Sequence, residues 1–439
     1  VLPGVPGQTL TMLVSDFDGD AILDLFKGDD LAGTDETLLF GPHGTLRETS
    51  VQDQPMPYHT QTSMSYDQGD WNNDLIDDFY GAQIATSLDG PGRVVPQGRN
   101  RNLHLICQQF GADIGWTADQ INACARELLS IDAIRNGKAF DPFSSCQDPW
   151  QRRDRALCAA FSFTMNLEDK HRNPDGDRAR YAACRRGLAH IPEIQHYCRS
   201  LLTPTMGRIR RQEIEATHRP TLGNGNILMT GRADGSFRDM GSAAGVRAPG
   251  WSWNSRFADL DQDGRQDLLV ATGMWLNAAA SMTNVFYHND GEGFSDATEA
   301  FGFTDIVPSY SYVMFDYDRD GDIDIVRDNA SMRMIVHRND RPAGRALWVN
   351  LRDGIGNRLG IGARVYVCTD GETRVRPGRC QMRVIKASGG YMSSDPVAAH
   401  FGLGDAREVS LIQIRWPDGE VSRVRPAGLS HGEIVVTRR

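Results

Sequence analysis

The sequence predicts a mainly β protein: calcium-binding, β-propeller-like repeats, a small β domain at the C-terminal end, and a disulfide-bonded α-helical module inserted within the repeats. Three observations carry this. An acidic nine-residue pattern occurs four times; its first residues stand 54, 189 and 57 positions apart; and six of the eight cysteines crowd into the long interval.

The acidic pattern comes first because it fixes the repeat. "SDFDGDAILDLF" supplies Asp16, Asp18, Asp20 and Asp24; "DWNNDLIDDFY" supplies Asp70, Asn72, Asp74 and Asp78; "DLDQDGRQDLLV" supplies Asp259, Asp261, Asp263 and Asp267; "DYDRDGDIDIV" supplies Asp316, Asp318, Asp320 and Asp324. Each copy puts side-chain oxygens at positions 1, 3, 5 and 9. Like charges this close raise the cost of ionising one another. Alternate residues of a tight loop can turn their oxygens toward one centre, and a hard divalent cation with roughly 6 to 8 oxygen ligands suits such a cage. About four Ca2+ sites are therefore expected. An EF-hand is excluded: position 12, which there must be Glu, is Lys27, Gly81, Val270 or Arg327. The residues after position 9 read as strands. The competing reading is an Asx-rich turn whose carboxylates face water.

The spacing predicts a repeat of about 55 residues, interrupted once, within the second copy. From 100 to 215 the apolar period changes from 2 to 3.6, and stretches such as "TADQINACARELLSIDAI" and "DGDRARYAACRRGLAHI" read as helices. Cys107, Cys124, Cys146, Cys158, Cys184 and Cys198 lie here, with no CxxC spacing and no interleaved histidines, so three disulfides of unspecified connectivity are expected rather than zinc. Cys368 and Cys380 bracket a hairpin that a further disulfide would clamp. An oxidising compartment follows, so the chain is expected to be secreted or periplasmic. The insert carries 18 basic against 14 acidic residues over 99–215, a basic module on an acidic scaffold and a candidate docking element for an assembly partner.

The expected domains are 1–99, the first blade and the start of the second; 100–215, the helical insert; 216–343, the remainder of the second blade with the third and fourth; and 344–439, the small β domain. A single blade cannot bury both of its faces, so blades stack. Four blades is the low end of the propeller range; either strands from the termini close the ring or it stays open. The net charge of −10 argues against nucleic acid as a partner, although much of it resides in the four loops. No apolar run approaches about 18 residues, so no membrane span is expected. The sequence opens on Val1 without Met, consistent with a removed signal peptide. In the C-terminal segment "ARVYV", "QMRVIKA", "SLIQIRW" and "EIVVT" read as strands joined by Gly-rich turns, and Gly402 and Gly404 as a tight bend.

Two resemblances add to this. The acidic loops, with the "NDGEGF" and "RADGSF" hairpins, resemble FG-GAP or VCBS-type repeats of integrin-like propellers, which implies calcium in each loop. "ALWVNLRDGIGNRLGIGARVYV", "KASGGYMSSDPVAAHFGLGDA" and "IRWPDGEVSRV" resemble the ASPIC/UnbV domain, which follows FG-GAP repeats in secreted proteins akin to cartilage acidic protein and in some enediyne gene clusters. Together they cover roughly residues 10–95 and 222–436; the cysteine-rich insert resembles no family.

No GxSxG elbow, HExxH, P-loop or dinucleotide fingerprint is present, so the catalytic residues are unknown and enzymatic activity is left open. Glu168, Asp169, His171, Asp175 and Asp177 are a candidate metal or acid–base cluster, set against a plain inter-helix turn. Asn357, Arg358, Ser388 and Arg415 are candidate ligand contacts, set against turn roles. His104, His196 and His337 stand alone. Trp251, Trp253, Trp275, Tyr310 and Tyr312 flank the third and fourth loops and would form a platform for sugar or peptide, unless they pack into blade cores. The expected function is a calcium-binding module for adhesion or assembly, with a protein or carbohydrate ligand. The alternatives are an enzyme acting on a small molecule, as the resemblance to biosynthetic-cluster members implies, and a subunit of a larger extracellular complex.

Overall fold

A computed structural model describes residues 8–30, 35–47, 56, 58–60, 62–84, 221–222, 225–247, 249, 252–272, 284–303, 309–329, 334–340, 345–387, 390–426, 428 and 431–439. The chain divides into two compact units, one of Val1–Asn100, His218–Trp275 and Ala280–Arg439, the other of Arg101–Thr217 and Leu276–Ala279. The helical insert, its six cysteines, its basic docking role, the Glu168–Asp177 cluster, His104 and His196 lie outside the described residues, as do Trp251, Trp275 and Ser388.

Four sheets are built on one plan. The first holds β1 (Gln8–Ser15), β2 (Asp24–Asp30) and β3 (Glu36–Leu38), followed by a small hairpin of β4 (Phe40–Gly41) and β5 (Thr45–Leu46). A short parallel pair joins β6 (Tyr58–His59) to β9 (Thr221–Leu222). The second sheet holds β7 (Ser63–Gly69), β8 (Asp78–Gln83), β10 (Ile227–Gly231) and β11 (Phe237–Asp239). The third holds β12 (Ser252–Ala258), β13 (Asp267–Thr272), β14 (Val285–Asn289) and β15 (Phe294–Asp296). The fourth holds β16 (Ser309–Phe315), β17 (Asp324–Asn329) and β18 (Ile335–His337). Each acidic loop closes the hairpin between the first two strands, with its position 9 residue opening the second: Ser15 faces Asp24, Gly69 faces Asp78, Ala258 faces Asp267 and Phe315 faces Asp324. The same bulge interrupts all four first strands, between Thr9 and Thr11, Ser63 and Ser65, Ser252 and Asn254, and Ser309 and Ser311. In the second sheet β8 pairs with β10, Gly81 opposite Ile227, so the interruption falls between the second and third strands of that unit.

A side chain at one fixed place stitches each unit to the next. Asp35, Asn226 and Asn284, just ahead of the third strands, accept the N–H of Asp29, Gln83 and Thr272 at 3.0, 3.0 and 3.1 Å. Each also bonds the bulge serine of the following unit: Ser63 to Asp35 at 2.7 Å, Asn226 to Ser252 at 2.9 Å and Asn284 to Ser309 at 3.1 Å. Apolar packing fills the seams so joined. Because residues along a strand alternate between faces, Phe79, Ile227 and Met229 pack toward the first sheet with Leu13 and Phe26, while Tyr80 and Leu228 pack toward the third with Phe257, Leu268 and Val270. Leu269, Ala271 and Phe286 then meet Tyr312, Met314 and Ile325 of the fourth. Burial on both faces explains why β10 and β13 read as short, near-continuous apolar runs.

The C-terminal domain is a two-sheet sandwich. One sheet has the order β22–β19–β25, with β19 (Ala346–Asp353) antiparallel to β22 (Ala399–Gly402) and parallel to β25 (Gly432–Arg438). The other has the order β21–β20–β23–β24, from β20 (Arg364–Thr369), β21 (Cys380–Val384), β23 (Val409–Arg415) and β24 (Val421–Val424). Leu347, Val349, Val365, Phe401, Ile412, Ile414 and Trp416 fill the space between them. A disulfide joins Cys368 and Cys380, which lie directly opposite in the β20–β21 register.

Candidate metal centre

The four acidic loops share one hydrogen-bond scheme. Position 9 accepts two backbone N–H groups. One oxygen takes that of position 2, at 2.9 Å for Phe17 to Asp24, 3.0 Å for Trp71 to Asp78, 3.2 Å for Leu260 to Asp267 and 3.0 Å for Tyr317 to Asp324. The other takes an N–H at the end of the third strand or just past it, from Phe40, Gly231, Asn289 and Asn339, at 2.8 to 2.9 Å. Position 1 accepts the N–H of position 6 in every loop, from Ala21, Leu75, Gly264 and Gly321. Position 5 accepts that of position 7, from Ile22, Ile76, Arg265 and Asp322. These bonds curl the backbone through the left-handed region twice per loop, at position 4 (Gly19, Asn73, Gln262, Arg319) and position 6 (Ala21, Leu75, Gly264, Gly321). Four of the eight, Ala21, Leu75, Gln262 and Arg319, are neither Gly nor Asn, a conformation that costs about 1 kcal/mol or more for such residues.

The scheme turns carboxylates inward. Asp16, Asp24, Asp70, Asp78, Asp259, Asp267 and Asp324 are all buried. Carboxylate oxygens of Asp16, Asp18 and Asp24, of Asp259, Asp261 and Asp267, and of Asp316, Asp318 and Asp320 lie within 4.8 Å of one another. In the second loop, where position 3 is Asn72, the amide instead donates to Asp74 at 2.9 Å. The loops differ most at the second oxygen of position 1. In the second and fourth loops it accepts a backbone N–H, Asp74 to Asp70 at 3.0 Å and Arg319 to Asp316 at 2.6 Å. In the first and third, Oδ1 of Asp16 and of Asp259 is buried with no hydrogen-bond partner. An orphaned, buried carboxylate oxygen inside a ring of carboxylates is what a hard cation would complete. The residues present fit Ca2+, most closely in these two loops.

Electrostatics agree. Burial holds the Asp24 carboxyl up at about 6 and that of Asp259 at about 7, the latter further raised by Asp263 and Asp261 and opposed by Arg383. Asp70 is likewise pushed up to about 7 by burial, with Asp74 and Asp77 adding to it. Asp78 and Asp267 are held well above the ordinary carboxylate range, mainly by burial. Asp322, at position 7 of the fourth loop, is raised to about 8 by burial and by Asp320 and Asp324. It was not among the expected ligands, and its only signal is one extra acid in "DRDGDID".

Comparison with protein families places the third loop. Residues 219–270, which contain the third loop to position 9 and beyond, match the FG-GAP-like repeat, and residues 354–432 match ASPIC and UnbV. The chain carries an FG-GAP-like repeat and a C-terminal ASPIC/UnbV domain. No curated protein matches it.

The ASPIC/UnbV domain lies against the acidic loops themselves. From β20, Arg364 donates to Asp77 at 2.9 Å through Nε and approaches Asp16 Oδ2 at 3.4 Å. From β21, Arg383 stands 3.9 Å from Asp259, and beyond it Lys386 donates to Asp67 at 2.6 Å. Backbone joins in: the N–H of Gly402 donates to Asp259 Oδ2 at 3.0 Å, that of Gly404 to the Gln262 carbonyl at 2.8 Å, and that of Gly378 to the Asn73 carbonyl at 3.0 Å. The Trp348 indole donates to the Gly321 carbonyl of the fourth loop at 3.0 Å. The expected bend falls at Gly404, at φ +52°, while Gly402 ends β22 and is a point of close approach. A Cβ there would stand 2.3 Å from Asp259 Oδ2 and 2.4 Å from the Gln262 Cα. A cavity of about 90 Å³ remains at this seam, lined among others by Gln68, Arg256, Asp259, Arg383, Lys386 and His400.

Of the other candidates, Asn357 holds a turn, bonding the Ile361 carbonyl at 2.6 Å and N–H at 3.0 Å. Tyr312 is core, with its hydroxyl on the Leu269 carbonyl at 2.6 Å. Trp253 and Tyr310, both at the bulge, meet edge to face at 5.0 Å, with Tyr391 of the ASPIC/UnbV domain 5.4 Å from Trp253. His337 lies against Phe303 with ring centroids 5.1 Å apart, tilted by 49°. Arg364, Arg383 and His288 were missed, because nothing local in the sequence marks a side chain that reaches a loop from another sheet, as the two arginines do, or from the third strand of the loop's own sheet, as His288 does.

Proposed function

We propose that this protein is a secreted or periplasmic binding or assembly module. In this reading its propeller-like repeats are held by calcium, and the loops that bind it form the joint to the ASPIC/UnbV domain. FG-GAP-like repeats and ASPIC/UnbV domains point to an extracellular β-repeat protein, and the Cys368–Cys380 disulfide suits that setting. Among the described residues no helix is long and apolar enough to cross a membrane. The observation that carries the reading is the contact of Gly402 and Arg383 with Asp259, since an ion held there would order two domains at once. Its role is then architectural, and metal-binding free energy becomes folding free energy.

The cavity at this seam, about 90 Å³, is smaller than the roughly 300 Å³ or more usual for ligand pockets, so the seam itself does not offer a small-molecule site. Trp253, Tyr310 and Tyr391 then offer a contact for a carbohydrate or protein ligand, and the basic insert one for an assembly partner. The test is limited proteolysis of the full chain with and without Ca2+. Chelation should open cleavage between the fourth sheet and the ASPIC/UnbV domain, near residues 341–345; an unchanged digest would count against the proposal.

A further inference from the structure

The third loop carries something its three counterparts lack. His288, on β14, stands with Nε2 2.9 Å from Asp261 Oδ2. The N–H that follows it, from Asn289, is the one that binds position 9 of the loop, so the equivalent residues in the other units are those before Phe40, Gly231 and Asn339. These are Leu39, Thr230 and Arg338. Only the third unit puts an imidazole there. Ligand atoms of Asp261, Asp263 and His288 lie within 4.8 Å of one another, and Asp261 also belongs to the group it forms with Asp259 and Asp267.

We propose that Asp261, Asp263 and His288 form a second cation site on the third loop, taking a divalent transition ion through the His288 imidazole and sharing Asp261 with the oxygen cage. The chemistry separates the two positions. Calcium takes oxygen ligands, whereas imidazole beside carboxylates suits zinc, iron, cobalt or nickel. The loop's charge also leaves room for added cations. Asp259, Asp261, Asp263 and Asp267 are met by Arg265, paired with Asp263, and by Arg383, 3.9 Å from Asp259, while Asp259 Oδ1 stays buried without a partner. Three protein ligands leave coordination positions open, the arrangement that reactive rather than purely structural metal sites keep. The proposal rests on the cage reading only in sharing Asp261, and the experiment separates the two.

The full chain is stripped with chelator and titrated with Co2+ in the presence and absence of saturating Ca2+, with binding read from the visible d–d spectrum and ligand type from X-ray absorption. Wild type is compared with His288→Gln, which keeps a side chain able to hydrogen-bond Asp261 but removes the imidazole. The expected result is one Co2+ retained per chain in saturating Ca2+, with a nitrogen ligand. In His288→Gln its affinity should fall at least tenfold while Ca2+ binding is unchanged. Complete displacement of Co2+ by Ca2+, or equal Co2+ binding by the variant, would overturn the proposal. His288-dependent Co2+ binding in a protein that takes up no Ca2+ would support this site and sink the calcium reading instead.

Discussion

The first and third loops and the second and fourth loops follow one sequence pattern and differ in how position 1 is satisfied. All four share the curl of backbone N–H groups onto positions 1, 5 and 9. In the second and fourth, position 1 is satisfied from within its own loop. In the first and third, one oxygen of Asp16 and of Asp259 is left over; Arg383 of the ASPIC/UnbV domain stands 3.9 Å from Asp259, and Arg364 lies between the first loop, 3.4 Å from Asp16, and Asp77 of the second, to which it donates at 2.9 Å. A repeated motif is therefore not four copies of one site. The second and fourth loops satisfy position 1 from their own backbone, although Asp77 Oδ1 and Asp322 Oδ1 stay buried and unbonded there, whereas the first and third leave position 1 itself to charge from outside, in our account calcium.

The largest expected effect that would sharpen this contrast is calcium removal. A ligand at about a hundred times its Kd adds about 2.7 kcal/mol per site. Two tight loops then contribute about 5 kcal/mol, and chelation should lower the melting temperature by about 10 °C or more; a melt indifferent to EDTA would break the comparison. Next comes Arg364→Met, which strips a largely buried guanidinium from Asp77 and Asp16. Removing one partner of such a pair costs roughly 3 kcal/mol, measurable by urea unfolding, and excess Ca2+ should recover part of it if the first loop binds the ion.

The pH dependence is smaller and has a definite sign. Folding raises the carboxyls of Asp24 to about 6 and of Asp70 and Asp259 to about 7, against about 3.9 when unfolded. The calcium-stripped folded chain thus holds protons that the unfolded chain has released. Its stability from these groups is full below about pH 4 and is lost as pH climbs to about 8. The urea midpoint in EDTA should be higher at pH 5 than at pH 8, and saturating Ca2+ should flatten or reverse the trend. The smallest effect is expected of Asp316→Asn, whose position is half-exposed and already bonded. It should change Ca2+ affinity by less than about threefold, where Asp259→Asn lowers it more than about tenfold, as isothermal titration would show.

Much of this was legible in the sequence because it is local. The 1, 3, 5, 9 spacing gave the hairpin loops, and the apolar runs after position 9 gave the second strands, with Asp267–Thr272 read to the residue. Cys368 and Cys380 were readable as a clamped hairpin. What escaped depends on distant partners. The strands β19, β22 and β24 were not anticipated, and β19 is paired in parallel with β25, a match some 85 residues away that no local pattern encodes. Nor could spacing reveal that Gly402 is needed for contact with Asp259, which follows from where a separate domain docks, or that position 1 would be left with an unpaired oxygen in two loops and bonded by loop backbone in the other two.

The most direct test of the account is a calcium titration of chelator-stripped protein by isothermal calorimetry, in wild type and in the double variant Asp16→Asn/Asp259→Asn. Wild type should show two tight sites above any weaker ones, and the double variant should lose both tight sites. Four equivalent sites, or tight binding that survives the double substitution, would contradict it.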